Sequence, residues 1–384
     1  MFSLLWIAGC SNKSNPAGAS LLPVSDIVQP KTAILPAIAS TTVYSYTNTS
    51  FSANLIIGKS TEQESWGLIA FSGVVDSLRN ATVLSAQIEL RMRYQKGSQT
   101  SDTSSQAIYN VSMHKVLKAV RLDTVQFATM SSADFYDPTV IGTATTSIFN
   151  DSALFEIPFS DLTVVNSWFS SGGDTSNLGV LLKPGAGNTL LKGFHSFNTS
   201  LTNYAPRLRV VLQRVNATQT DTILLQTGVD TFTGQYTGAS PLNDSVRILI
   251  MNGVSYKGEL GFFLPDSLKK VTVHKALLRL HSVDNGLELG TNSTKFLVSN
   301  VLDSEGAEFS AAYAQGSEVT SGRYRFEFQI NEYLRRWMLT SVVPRVRITG
   351  YDAATGAERF ILHGAASAID SLRPHIHITY SISK

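Results

Sequence analysis

Cysteine is almost missing: the 384-residue chain has one, Cys10. No internal disulfide can form, no thiol remains for a metal or a nucleophile, and a fold of this length must rest on core burial. Charge is scarce as well. Asp, Glu, Lys and Arg make up 16% of the residues and nearly cancel at +2, which excludes recognition of nucleic acid through bulk charge. No apolar run approaches the ~20 residues that a membrane-crossing helix needs. Also lacking are a Gly-x-Ser-x-Gly elbow, a phosphate-cradling glycine loop and a His-Glu-x-x-His pair. The chain therefore reads as a non-enzyme.

What is present begins with Leu5-Trp6-Ile7-Ala8-Gly9-Cys10. A short apolar run, two small residues and then the cysteine is the pattern of a bacterial lipobox, in which a peptidase cuts before a thiol that carries a diacylglyceryl group. The expectation is a signal peptide over 1–9 with a truncated n-region, Cys10 as the lipidation site, and a polar tether over 10–39. Acyl chains such as palmitate would then hold the protein to the bacterial cell envelope, at the outer membrane or cell surface.

The remainder carries one unit twice. Residues 76–91 align without gaps on 266–281, and 195–206 on 363–374. The inward residues alternate as Ala86, Ile88, Leu90 and as Ala276, Leu278, Leu280, which is strand periodicity. Pro206 and Pro374 each open a terminal strand, where a missing N–H costs no ladder bond. Each copy also holds one short helical piece, capped by Ser160 or Asp161 in the first and by Asn331 in the second, with Trp168 and Trp337 turned to the core. The fold class expected is all-β: two tandem jelly-roll β-sandwich domains, each with a short helical turn, over 40–213 and 223–384 with a linker at 214–222. Residues 97–106 read as a loop.

The landmarks Phe155-Glu156-Ile157-Pro158, Trp168, Asn177-Leu178-Gly179-Val180-Leu181-Leu182 and Tyr204-Ala205-Pro206-Arg207-Leu208-Arg209-Val210 follow the order of DNRLRE-type domains. Over 40–212 the chain resembles that family clearly, and over 221–384 more loosely, without the string that names it. The resemblance implies a carbohydrate-binding-module-like jelly roll, and its motifs speak for fold more than for function.

Sugar recognition needs an exposed aromatic face beside hydrogen-bonding groups. Trp66 opens a strand beside polar residues, Tyr256 holds nearly the same place in the second copy, and Tyr44 and Tyr46 alternate on one strand; these are the candidate ligand-binding residues. His375 and His377 share a strand face without a third ligand, so no metal site is assigned. His195 and His363, at equivalent positions, read as a repeated structural hydrogen bond, and Glu62 with Glu64 as a solvated turn. No cofactor is implied, although a structural calcium ion at an unlocated loop site fits a jelly roll. The partners expected are a polysaccharide or a surface protein, with the membrane reached through the lipid anchor. The function expected is non-catalytic binding of polysaccharide or extracellular matrix, the alternative being a structural or assembly lipoprotein.

Overall fold

The computed structural model describes residues 30–97, 108–146, 150–170, 179–238, 244–254, 256–340 and 343–382. Cys10, the expected signal peptide and residues 98–106 of the expected loop lie outside them. In chain order the strands are β1 (Lys31–Tyr44), β2 (Asn54–Lys59), β3 (Gln63–Phe71), β4 (Thr82–Gly97), β5 (Tyr109–Val116), β6 (Tyr136–Thr146), β7 (Leu154–Pro158), β8 (Val180–Pro184), β9 (Leu190–His195), β10 (Arg207–Gln213) and β11 (Thr220–Tyr236). There follow β12 (Arg247–Met251), β13 (Tyr256–Phe262), β14 (Val271–Glu288), β15 (Phe296–Leu302), β16 (Glu308–Gln315), β17 (Ser317–Thr320), β18 (Arg323–Gln329), β19 (Arg345–Gly350), β20 (Arg359–His363) and β21 (His375–Ile382). The α-helices are α1 (Phe127–Met130), α2 (Thr163–Phe169) and α3 (Asn331–Leu339).

Two units of one topology result. The first runs β11-β10-β4-β9-β2-β3-β8-β5-β6 and the second β1-β21-β14-β20-β12-β13-β19-β15-β16, strand for equivalent strand. In the first unit β11 also pairs with β3, and in the second β1 also pairs with β13. Each unit is thus a closed β-sandwich of the jelly-roll kind, in which two long strands bend from one sheet into the other. The bends lie at bulges: the register shifts between Ala37 and Ala39 in β1 and between Thr227 and Val229 in β11. An extra residue there turns the strand and increases its twist.

The alternating residues face inward as expected. Ile88 and Leu90 are fully buried in one core, and Ala276, Leu278 and Leu280 in the other. Short turns recur at matched places, Asp76–Leu78 with Asp266–Leu268, and Thr202–Tyr204 with Asp370–Leu372. Trp168 and Trp337 are buried against Phe71 and Phe262, themselves equivalent. Asn331 does not cap its helix; its Oδ1 accepts the Ala276 N–H at 2.7 Å, because tying the helix to the sheet satisfies a buried strand donor. The N-cap of α2 is Leu162, not Ser160 or Asp161, although the Asp161 carboxylate accepts the N–H of Thr163 at 2.9 Å.

The order along the chain differs from a simple tandem. β1 precedes the first unit's strands yet lies in the second unit, between β21 and β13. β11 precedes the second unit's strands yet lies in the first, against β10 and β3. The two copies have exchanged their leading strands. Residues 31–39, expected within the tether, are therefore strand: Leu35 and Ala37 enter the second core. Likewise the expected linker 214–222 ends inside β11, which contributes Leu225 and Phe232 to the first core.

Candidate functional site

Trp66 is not an open platform. It is only 7% exposed and belongs to a small cluster with Phe127, Met130 and Phe135, under the segment that follows β5. Phe127 lies 4.8 Å from its ring and Tyr136 5.9 Å, while the Lys183 ammonium sits over it at 4.3 Å. Its Nε1 donates to Glu64 at 2.8 Å. Glu64 also pairs with Lys59, and Glu62 pairs with Arg359 of the other unit, so the two carboxylates serve different contacts.

The tyrosines do converge. Tyr44 meets Tyr256 edge-on at 5.8 Å because β1 and β13 are paired there, and Tyr236, at the end of β11, lies 6.1 Å from Tyr256. The ladders set Tyr256 one place off Trp66: Gly67 and Gly258 match, so Lys257 is the equivalent of Trp66, and Tyr256 points to the opposite face. Tyr44 is 55% exposed. Tyr46 stands apart, donating to the Asp123 carbonyl at 2.9 Å.

A second aromatic group escaped sequence reasoning. Tyr313 on β16, Tyr351 after β19 and Phe296 on β15 form a continuous strip, with successive ring centroids 6.0 Å apart. Tyr313 and Tyr351 are 59% and 57% exposed, so both rings are accessible from solvent. The only trace in the sequence is Tyr313 itself, a tyrosine flanked by alanines in the strand Glu308–Gln315. Asp352, next to Tyr351, accepts from Thr294 at 3.1 Å and lines a cleft of about 240 Å³ between the units. Asn54, Arg93, Thr291, Asn292 and Thr355 complete the cleft's polar wall.

The floor of this cleft is unusually rich in buried polar groups. Glu358 is 2% exposed; its carboxylate accepts from Asn252 at 2.7 Å and from Ser293. Tyr94 is buried beside it, and desolvation, followed by the Glu358 charge, pushes its hydroxyl well above the ordinary phenol range. Across the seam Asn54 Nδ2 donates to the Thr355 carbonyl at 2.6 Å, and the Thr291 N–H donates to the Gln95 carbonyl at 2.8 Å. These bonds hold the walls of the cleft in register, so the strip and the cleft form one preorganised surface.

His195 and His363 are structural. His195 Nδ1 bonds to Thr199 Oγ1 at 2.9 Å and His363 Nδ1 to Ser367 Oγ at 3.0 Å, the same contact in both copies. His375 Nδ1 bonds to the Arg373 carbonyl, and its ring faces His281 on β14. Among the described residues no three His, Cys, Asp or Glu side chains come together as a metal site.

No family model matches this chain, and no curated protein matches it by sequence. Among solved structures, the VP2 subviral particle of infectious bursal disease virus is 8% identical, with a TM-score of 0.14, covering 93% of this chain and 77% of that one. The coconut allergen cocosin is 7% identical, with a TM-score of 0.13, covering 87% and 85%.

Proposed function

We propose that this protein is a lipid-anchored envelope protein that binds a polysaccharide or matrix polymer without chemical turnover. The observation that carries the reading is the open Phe296–Tyr351–Tyr313 strip beside the polar cleft. Aromatic faces take the C–H patches of pyranose rings, while Asp352, Asn292 and Arg93 are the donors and acceptors that hydroxyls require. The resemblance to DNRLRE-type domains supports the same reading, with the anchor at Cys10. The Tyr44–Tyr256–Tyr236 group is a second aromatic surface on the same chain, and two contacts on one polymer strengthen binding through effective concentration.

Retention on affinity gels cast with a panel of polysaccharides tests this. The wild-type chain is expected to be retarded on at least one gel, with Tyr313→Ala/Tyr351→Ala losing most of the retardation. No retardation on any gel, or none lost in the double variant, overturns it. The anchor is tested separately, by incorporation of labelled palmitate that Cys10→Ala abolishes. A second reading, attachment of protein partners, draws on β6 and β16, which end their sheets; edge strands accept an added strand. Co-purification of a defined partner whose binding is lost on edge-strand substitution, with the gels negative, would favour it.

A further inference from the structure

The outer face of the second unit, away from the aromatic strip, holds a groove of about 480 Å³ on β14, β18 and β21, walled on one side by Ile34 and Pro36 of the exchanged strand β1. Arg279, His281, Arg325, Arg373 and His375 line it. Its cations outnumber their counterions. Glu327 serves two guanidiniums, Arg279 at 2.6 Å and Arg325 at 3.7 Å, and Asp370 serves Arg373 at 3.0 Å. Arg325 Nε is buried and makes no hydrogen bond among the described residues. His281 lies opposite Arg325 in the β14–β18 ladder, and desolvation together with the His375 and Arg325 charges pulls its imidazole down to about 4, so the ring is neutral near pH 7. Buried donors without acceptors are costly, and are uncommon unless a ligand or ion completes them.

The other copy carries a different charge pattern on this surface. The ladders place Glu89 at the position of Arg279, Arg207 at that of His375, Arg91 at that of His281 and Leu154 at that of Arg325. There Glu89 neutralises Arg207 at 2.7 Å, and Arg91 donates to the Ser152 carbonyl at 3.1 Å. The first unit thus places a carboxylate, Glu89, where the second has the cation Arg279, although its Arg91 Nε is likewise buried without a hydrogen bond.

We propose that this groove of the second unit is an oxyanion-binding site, with Arg325 as the group that grips a carboxylate, sulfate or phosphate and Arg279 and Arg373 beside it. A planar guanidinium presents paired donors that fit such oxygens, and a charge-assisted bond forms where a buried donor now has none. The apolar wall of Ile34 and Pro36 leaves room for a compact body carrying the anion. The site does not depend on the polysaccharide reading, because it shares no residue with the strip or the cleft.

Calorimetric titration of the full chain with inorganic sulfate, inorganic phosphate and acetate, each against chloride at matched ionic strength, tests it. Saturable binding of at least one, with a dissociation constant on the order of millimolar, is expected. Arg325→Gln should weaken it by roughly tenfold or more. Arg207→Gln in the first unit should leave it unchanged. Circular dichroism verifies that each variant is folded. Absence of saturable heat with all three anions, or unchanged affinity in folded Arg325→Gln, overturns the assignment.

Discussion

Lys96 and Glu288 stand at the same position of the repeated long strand, opposite Leu191 in one copy and Arg359 in the other, and their side chains meet at 3.6 Å across the seam. The repeat has placed opposite charges at one site of its two copies and then brought the copies together there. Lys96 is fully buried and also donates to the Ala357 carbonyl at 2.6 Å. Desolvation pulls its ammonium below the ordinary lysine range, against the pull of Glu288 and Glu358. Removing one member of a buried charge group strands the rest, at roughly 3–5 kcal/mol. Lys96→Met is expected to lose about that much stability in urea unfolding, and Lys96→Met/Glu288→Gln to recover part of it. A loss too small to resolve would show that the seam does not rest on this charge.

The exchanged strands are latched at equivalent points. Asp230 on β11 accepts the Phe197 N–H at 2.7 Å, and Ser40 on β1 accepts the Ala365 N–H at 2.8 Å. Burial raises the Asp230 carboxyl to about 7, with the Phe197 bond opposing. The folded chain then keeps a proton that the unfolded chain releases near pH 4. Stability from this group is full below about pH 4 and is lost as pH climbs toward 7, a change on the order of a few kcal/mol. Asp230→Asn is expected to flatten that slope in melting curves taken from pH 4 to 8, and to be the more stable form at pH 8. An unchanged slope would remove Asp230 as its source.

Trp66→Ala separates packing from recognition. Loss of a buried ring of this size costs roughly 3–5 kcal/mol, so a lowered melting temperature is expected, with gel retardation by polysaccharide retained at temperatures where the variant is folded. Loss of retardation in a folded variant would return Trp66 to the binding surface.

Removal of residues 1–45 withdraws β1 from between β21 and β13. Leu35 and Ala37 leave the second core, and two sheet edges are left unpaired. The shortened chain is expected to melt in two steps, with the second unit first. A synthetic peptide of residues 30–46 added in trans should restore a single higher transition. No stabilisation by the peptide at saturating concentration would indicate that β1 contributes little to that unit.

The sandwich was legible because Ile88, Leu90, Leu278 and Leu280 alternate, and because a gapless repeat fixes equivalent turns at Asp76 and Asp266. The exchange was not legible, since side-chain alternation tells which face of β1 is buried but not which copy buries it. Backbone pairing to Tyr380 or to Phe71 would leave the same pattern in the sequence. The candidate site fared in the same way. Tyr44 and Tyr256 are joined by a ladder that no local pattern encodes, and the Phe296–Tyr351–Tyr313 strip is assembled from three segments distant in sequence. Trp66 misled because polar neighbours marked its strand as exposed, whereas Phe127 and Phe135 arrive from a later segment to cover it.

Reciprocal lending of β1 and β11 also dictates an order of events as the chain folds. The first unit can close with β11, which follows its other strands directly, but β1, which precedes them, finds its last partner only in β21, at the far end of the described residues. Closing so long a loop is slow. Until then a ribbon carrying Ile34, Leu35 and Ile38 stays unclaimed, an opening through which the same strand of a neighbouring chain can enter and tangle.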